Sequence, residues 1–329
     1  MKEGAKNSIQ QMRQLAIIVL NYKTPGFVVD CLHSLNGQID PQTQEVIVVD
    51  NCSGDDSVIE IEKAIESAGW GSWARVVRSP VNGGFAAGNN VGIKASNAKV
   101  CLLLNSDTIV RDGAIETLMR TLDEHPEIGM IGPQLEWPDG THQISTFRYG
   151  TPITEMIYAS RLGIIERVFP KHVVARELHA FTIGIDWISF ACVAIRREVF
   201  EAVGLLDEGY FMYFEDVALC RRATKAGFVI GYQPDARVVH LRGGSSPVKE
   251  QTRQRKRRPA YYYAARSHYL RSFYGVLGHI LANLLWMTGW TIGALRGRTG
   301  AVAHEYIDIW TSPKHRVPIG NSLGGGDDG

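Results

Sequence analysis

Hydrophobic and polar residues form two kinds of segment along the first third of the chain. Continuous apolar runs, rich in β-branched residues, are typical of strands buried inside a parallel sheet. Stretches with apolar residues at helical spacing lie between these runs. The predicted strands span 15–20, 45–49, 75–78 and 100–104, and the predicted helices span 27–35, a segment capped at 53–56 that ends near 68, and a segment that ends near 96. Alternating strands and helices predict right-handed βαβ units and a doubly wound α/β sheet.

The second half of the chain continues this pattern less regularly. Between 132 and 183 the periodicity is weak, with a loosely amphipathic helix at 151–169. An irregular stretch of this length inside a catalytic domain is usually a functional loop. Other segments are clearer, with predicted strands at 128–131, 186–195, 228–232 and 236–239, predicted helices at 113–124, 197–203 and 215–226, and a predicted Gly- and Asn-rich loop at 80–90.

An apolar segment at 272–295 lacks Lys, Arg, Asp and Glu. Its length could span a bilayer, but His279, Asn283 and several glycines make it a poor span. A basic cluster at 253–258 and three tyrosines at 261–263 precede it. We therefore favour a helix that lies at the membrane interface, anchored by these basic and aromatic residues. A helical hairpin packed on the protein itself is the alternative.

Composition narrows the class of protein. The chain has 329 residues, of which 45% are hydrophobic and 21% are charged, values that indicate a globular protein. A net charge of +1 does not indicate a nucleic-acid partner. The five cysteines lack metal-ligand spacing, and residues 1–14 lack the apolar region of a signal peptide. Both observations predict a cytoplasmic protein with reduced thiols, and neither indicates an oligomeric state.

Acidic residues and a histidine stand where predicted strands end or helices begin: Asp50, Asp107, the pair Glu215 and Asp216, and His240. Each has a separate explanation as a cap or a packed polar group. Together they indicate one cleft, because ligands of open α/β sheets bind at the carboxyl ends of the strands. An Asp there can accept from ribose, Asp with His can bind Mg²⁺ or Mn²⁺, and another Asp can act as general base on an acceptor hydroxyl.

Several motifs occur in the order found in one enzyme family. They are LAIIVLNY at 15–22, VIVVDN at 46–51, NGGFAAGNN at 82–90, LLLNSDT at 102–108, FMYFED at 211–216 and VVHLRGGS at 238–245. The chain resembles a family-2 glycosyltransferase with the GT-A fold, and is most similar to the rhamnosyltransferase-like members that build bacterial surface polysaccharides. The resemblance covers about residues 15–250.

The resemblance implies roles for particular residues. Nucleotide-sugar contacts would come from Asn21, Tyr22, Asp50, Asn82, Asn105, Ser106 and Asp107. The last three stand where the family has its DxD-type motif, and Asn105 departs from it. Asp107 and His240 would hold the Mg²⁺ or Mn²⁺. Asp216 would be the catalytic base, with Glu215 beside it. Ala218 and Phe190 are further departures, which concern the acceptor side of the site.

The implied reaction is inverting transfer of a sugar to a hydroxyl of a glycan or lipid-linked glycan. The resemblance favours L-rhamnose from dTDP-rhamnose, with a UDP-hexose as the alternative donor. The transfer would take place at the cytoplasmic face of the inner membrane. A catalytically inactive nucleotide-sugar-binding or scaffold protein is a second alternative. A nucleotidyltransferase is disfavoured because no Gly-rich basic loop follows the first strand.

We expect four regions. They are a polar extension at 1–14, a GT-A domain at 15–250 with a nucleotide-sugar half (15–110) and an acceptor half (111–250), a helical extension at 251–319, and a disordered tail at 320–329.

Overall fold

The computed structural model of the protein describes residues 12–241, 257–297 and 305–311. The tail at 320–329 lies outside these ranges, and so do most of the polar N-terminal extension and most of the basic cluster at 253–258.

Four parallel strands form the first half of the main sheet. They are β1 (Leu15–Asn21), β2 (Gln44–Asp50), β3 (Ala74–Arg78) and β4 (Val100–Asn105), connected by helices α1 (Pro25–Leu35), α2 (Ser57–Ser67) and α3 (Gly84–Lys94). Their order in the sheet is β3-β2-β1-β4, and all neighbours are parallel. The predicted doubly wound arrangement is therefore confirmed for this half, and the strands end at one common edge.

The second half adds shorter strands and more helices. The strands are β5 (Thr108–Val110), β6 (Ile128–Glu136), β7 (His142–Gln143), β8 (Thr146–Phe147), β9 (Ala175–Arg176), β10 (Thr182–Ile183), β11 (Trp187–Ile188), β12 (Cys192–Arg196) and β13 (Val229–His240). The helices are α4 (Ala114–Glu124), α5 (Pro152–Ser160), α6 (Gly163–Val168), α7 (Arg197–Val203) and α8 (Glu215–Lys225).

Strand β12 joins the two halves. It pairs antiparallel with β4 on one side and with β6 on the other, and β13 then lies parallel to β6. Within the described residues this gives a ten-stranded mixed sheet, in which β5 and β10 pair with β13 and β7 pairs with β6. Strands β8, β9 and β11 form a separate small sheet. Strand β12 thus runs in the direction opposite to that of its two neighbours, β4 and β6.

Helices cover both faces of the sheet, as alternating apolar strand positions require. Ile17 faces a core formed with α1, α2 and α4, and the neighbouring Ile18 faces a second core formed with α3, α7 and α8. Both side chains are fully buried. The central strands are apolar on both faces for this reason, which is the pattern from which they were predicted.

Several predicted boundaries were wrong. Helix α3 begins at Gly84, inside the segment predicted as a loop, and β6 continues to Glu136. The strands predicted at 228–232 and 236–239 form one strand, β13, with a register shift between Gln233 and Arg237. The strand predicted at 186–195 is divided between β11 and β12, and the helix predicted at 151–169 is two helices, α5 and α6.

The C-terminal extension forms helices α9 (Ala260–Leu295) and α10 (Glu305–Thr311). Gly275 has a non-helical conformation, with φ of 68°, and divides α9 into two segments. One face of α9 packs on α5, where Arg266 forms a buried ion pair with Glu155 at 2.8 Å. Another face exposes apolar side chains, including Leu277 and Leu281. In the described part of the chain, every helix is too short or too polar to cross a membrane.

The contact between α9 and α5 depends on a glycine. A Cβ added at Gly289 would lie 2.1 Å from the carbonyl oxygen of Met156, which is backbone and cannot turn away. We expect Gly289→Leu to lower the free energy of unfolding by about 1–3 kcal/mol or more, because overpacking forces the two helices apart. The neighbouring exposed residue provides the control, and Thr288→Leu should change stability by less than about 0.5 kcal/mol. Equal urea midpoints for the two variants would contradict the close packing of these helices.

Candidate functional site

The ends of β1 and β2 hold a buried carboxylate, Asp50. Asn21 Nδ2 and Ser53 Oγ donate to Asp50 Oδ1 at 2.8 and 2.6 Å, and the Ser53 backbone N–H donates to Asp50 Oδ2 at 3.1 Å. A carboxylate has about four acceptor positions. These three bonds orient Asp50 and leave Oδ2 with capacity for a donor from a ligand.

The next loop connects this carboxylate to the start of α3. Asn51 Nδ2 donates to Asn82 Oδ1 at 2.9 Å and to the Gly84 carbonyl at 3.1 Å. Asn82 Oδ1 also accepts from the Gly84 N–H at 3.0 Å. Asn82 therefore fixes the first residue of α3, and its predicted contact with the nucleotide sugar stays a prediction.

The start of α3 touches the loop before α8. The Phe85 N–H donates to the Phe211 carbonyl at 2.7 Å. At Gly84, with φ of 83°, an added Cβ would lie 1.9 Å from the same oxygen. Only glycine tolerates both the positive φ and this close approach. The contact brings the nucleotide-side loops next to the predicted catalytic loop.

Asp107 lies in the turn between β4 and β5. Its Oδ1 is 3.5 Å from His240 Nε2, and both side chains are about nine-tenths buried. The pairing of β5 with β13 sets this distance, since Thr108 lies opposite His240. The Leu241 N–H donates to the Asp107 carbonyl at 2.9 Å, which holds the same two segments together through the backbone.

The remaining predicted nucleotide-side residues lie along this edge. Asn105 is the last residue of β4, and Ser106 Oγ is 3.5 Å from Thr24 Oγ. The Thr24 N–H donates to Asn21 Oδ1 at 3.2 Å, so these contacts connect the Asp107 turn to the Asp50 pocket. Tyr22 follows β1 and is 36% exposed, which leaves its ring available to a ligand.

Glu215 and Asp216 open α8. Burial, and secondarily the neighbouring Asp216, raises the pKa of Glu215 well above its ordinary range. Burial also raises the pKa of Asp216 to about 6. This shift favours the neutral form of Glu215, whereas Asp216 is mostly ionised at neutral pH. The preceding residues Tyr213 and Phe214 have φ of 74° and 71°, a strained conformation that is typical of functional loops.

A cavity of about 390 Å³ lies beside Asp216, between the small sheet and helices α5, α9 and α10. Aromatic side chains dominate its wall, and these are Phe147, Tyr158, Trp187, Tyr213, Phe214, Tyr262, Tyr263, Tyr269 and Trp286. Glu155, Arg258, Arg266 and Glu305 add charges, which form ion pairs between Arg266 and Glu155 and between Arg258 and Glu305. The cavity offers stacking surfaces and charged groups next to the predicted base.

The structure thus brings the predicted residues into two connected groups along one edge. Sequence reasoning missed Ser53 and Thr24, which orient Asp50 and Asn21. A signal was present, because each hydroxyl residue follows its strand-terminal Asp or Asn by three positions, the spacing of local side-chain to backbone bonds. The strained backbone at Tyr213 and Phe214 had no comparable signal.

The Asp107 and His240 pair fits a divalent cation. One carboxylate and one imidazole leave most coordination positions for water and phosphate oxygens, as Mg²⁺ and Mn²⁺ sites in nucleotide enzymes do. His240 Nδ1 is buried and has no hydrogen-bond partner within 12–241, 257–297 and 305–311. The pair therefore has the donor types for such an ion.

Comparison with known proteins finds relatives that include rhamnosyltransferases. The chain is 29% identical to an N-acetylglucosaminyl-diphospho-decaprenol L-rhamnosyltransferase of Mycobacterium tuberculosis over 150 residues, which are 44% of this chain and 48% of that protein. The match thus spans about half the length of that relative. The chain is also 24% identical to rhamnosyltransferase WbbL of Escherichia coli, over 68% of this chain and 82% of that protein.

Solved structures share the fold. TarS 1–349 of Staphylococcus aureus superposes with a TM-score of 0.53 at 14% identity, over 90% of this chain and 77% of that chain. A mannosyltransferase of Pyrobaculum calidifontis, solved with GDP-Man and Mn²⁺, has a TM-score of 0.52 at 14% identity, over 91% and 79%. The expected GT-A fold is confirmed. The family described as "Glycosyltransferase like family 2" matches residues 13–261. The chain belongs to glycosyltransferase family 2.

Proposed function

We propose that this protein is an inverting glycosyltransferase that moves L-rhamnose from dTDP-rhamnose to a hydroxyl of a glycan or lipid-linked glycan, in bacterial surface polysaccharide synthesis. The proposal is carried by the contacts that link the Asp50 pocket to the Asp107 turn, and the start of α3 to the loop before the α8 carboxyls. The rhamnosyltransferase relatives support the donor. We assign the transferase unit to residues 15–250 and the membrane contact to the extension at 251–319.

On the donor side, Asp50 accepts from a hydroxyl or base N–H of the nucleotide through Oδ2, with Asn21, Tyr22 and Asn82 around it. Asn105 and Ser106 lie beside the diphosphate. Asp107 and His240 would hold a Mg²⁺ or Mn²⁺ ion, which would supply positive charge beside the diphosphate.

On the acceptor side, Asp216 takes the proton of the acceptor hydroxyl while its oxygen bonds to the anomeric carbon. The bond from that carbon to the diphosphate breaks in the same displacement, which inverts the configuration. The raised pKa of Glu215 favours its neutral form, which keeps a second negative charge away from Asp216. A base with a pKa of about 6 is ionised and still proton-accepting at neutral pH.

Asp216→Asn tests the assigned base. We expect turnover to fall about 10²- to 10⁴-fold, because the amide cannot accept the hydroxyl proton, while nucleotide affinity stays within about twofold. Sugar transfer and nucleotide binding are measured on the same preparation. Asp235→Asn, at an exposed carboxylate of β13, is the control and should leave both unchanged.

The pH profile is a second readout of the same assignment. A raised carboxyl pKa means that the proton binds at higher pH, so kcat/KM of the wild-type protein should fall about tenfold per pH unit below about pH 6. Unchanged turnover in Asp216→Asn, or a flat profile down to pH 4.5, would remove Asp216 from this role. Donor hydrolysis that is absent with Mn²⁺ present would instead favour the inactive binding protein.

A thermal-shift screen tests the donor and the metal. At about 100 times Kd, dTDP with Mn²⁺ should stabilise the fold by about 2.7 kcal/mol and raise Tm by about 4 °C, more than UDP or GDP does. Asp107→Asn should remove most of the Mn²⁺-dependent part, and Asp112→Asn, an exposed neighbour, should retain it. A larger shift with UDP would replace the dTDP assignment, and no shift with any nucleotide would contradict the donor site.

The exposed face of α9 supports contact with the cytoplasmic face of the inner membrane. Leu277 and Leu295 are 81% and 83% exposed, and Leu281, Leu284 and Trp290 lie on the same helix with a third or more of their surface exposed. Apolar surface of this kind gains free energy in the interfacial region of a bilayer.

Vesicle flotation tests this contact. Leu277→Glu with Leu281→Glu should reduce the fraction bound to vesicles with anionic phospholipid at least tenfold, because each change removes roughly 2 kcal/mol of apolar burial. The control pair, Ile164→Glu with Val168→Glu, changes two exposed apolar residues of α6 and should bind as wild type does. Wild-type protein that stays with the soluble fraction would contradict the membrane contact.

A further inference from the structure

Three side chains of the types that bind metal ions meet where β7 lies beside the segment after β9. His142 Nδ1 and His179 Nε2 each lie 3.6 Å from Glu177 Oε1. Their ligand atoms all lie within 4.8 Å of one another, and no other group of three such residues occurs in the described part of the chain. We propose that His142, Glu177 and His179 bind a divalent metal ion of the zinc class, separate from the cation at Asp107.

The spacing fits tetrahedral coordination. Zinc binds imidazole nitrogen and carboxylate oxygen at about 2.0–2.2 Å, so two ligand atoms on one ion lie roughly 3.3–3.4 Å apart. Two of the three separations in this group are 3.6 Å, within a few tenths of an ångström of that value. The exposed side chain of His179 is free of dense packing and can turn to close the third.

A second observation comes from the buried side of the group. His142 Nδ1 is buried and has no hydrogen-bond partner among the described residues. A buried polar atom of this kind requires a partner, and an ion at the centre of the group supplies one. The opposite ring atom, His142 Nε2, lies 3.4 Å from the Tyr232 hydroxyl. Metal-binding histidines are typically oriented in this way through their second nitrogen.

The ligand set indicates the class of metal. Two imidazoles and one carboxylate suit Zn²⁺ and similar transition metals better than Mg²⁺, which prefers oxygen ligands. Glu177 and His179 are 57% and 73% exposed, so water completes the coordination. The assigned role is structural, because none of the three residues lies in the wall of the cavity beside Asp216.

The ion would join two parts of the irregular region between β6 and β12. His142 lies on β7, which is paired with β6, and Glu177 and His179 lie between β9 and β10. Between these points the chain forms α5, which supplies Glu155 and Tyr158 to the cavity. A metal at this place fixes both ends of the segment that carries one cavity wall.

Zinc titration of the full chain tests the proposal. Asp107→Asn removes the other cation site, and the metal-stripped variant is titrated with ZnCl₂ against a chromogenic zinc chelator. We expect one equivalent of Zn²⁺ to bind and to raise Tm. Adding His179→Ala, at a 73% exposed position where the fold should tolerate it, should abolish that equivalent and the Tm shift. Adding His125→Ala, whose histidine pairs with Glu127 at 3.0 Å, is the matched control and should retain both.

Two further variants separate a metal site from a plain ion-pair cluster. Tyr232→Phe should weaken zinc affinity about tenfold without removing the site, as loss of an outer hydrogen bond does. Glu177→Gln should abolish binding of the one equivalent of Zn²⁺. Retention of the full equivalent in the His179→Ala variant, or no zinc binding at micromolar concentration in Asp107→Asn, would overturn the proposal. Nucleotide binding is measured separately on the His179→Ala single variant, in which Asp107 is intact and binding should match wild type, so either result is distinguishable from failure of the transferase assignment.

Discussion

The free-energy cost of burying a carboxylate governs where this protein can bind and react. Asp50, Asp107, Glu136 and Glu215 are all more than nine-tenths buried, and each meets this cost in a different way. Glu136 lies between Arg111 and Arg237, which neutralise it. Asp50 accepts three hydrogen bonds. Burial raises the pKa of Glu215, which favours the neutral form of that carboxyl. Asp107 faces the imidazole of His240 at 3.5 Å.

The partners of these four carboxylates also distinguish structural residues from residues of the candidate site. The two arginines beside Glu136 fasten β6 to the segment after β5 and to β13, which stabilises the strands that carry Asp107 and His240. Glu136, with two arginine partners, is thus structural, whereas Asp50, Asp107 and Glu215 lie at the edge of the candidate site. This division rests on the kind of partner, because burial alone is the same for both groups.

The sequence predicted the parallel half of the sheet well, because strands apolar on both faces leave a continuous signal. It predicted the acidic strand ends because the end of each continuous apolar run marks the end of its strand. The sequence did not predict the features that depend on contacts between residues far apart in the chain. Pro234 and Asp235 interrupt the apolar pattern of β13, yet they occupy the register shift between Gln233 and Arg237 and the strand continues. Gly83 and Gly84 indicate a turn locally, whereas contacts with Asn82 and Phe211 hold Gly84 as the first residue of α3. The distance between Asp107 and His240 follows from pairing of β5 with β13, which periodicity cannot show.

Strand β12 also has a consequence for synthesis of the chain. Its partner β4 ends at Asn105, but β12 begins only at Cys192, so a growing chain holds the apolar edge of β4 unpaired until that segment has left the ribosome. An unpaired apolar edge is a template for association with other chains. The strand that unites the two halves of the sheet therefore also ends the period in which the nascent protein is most prone to aggregate.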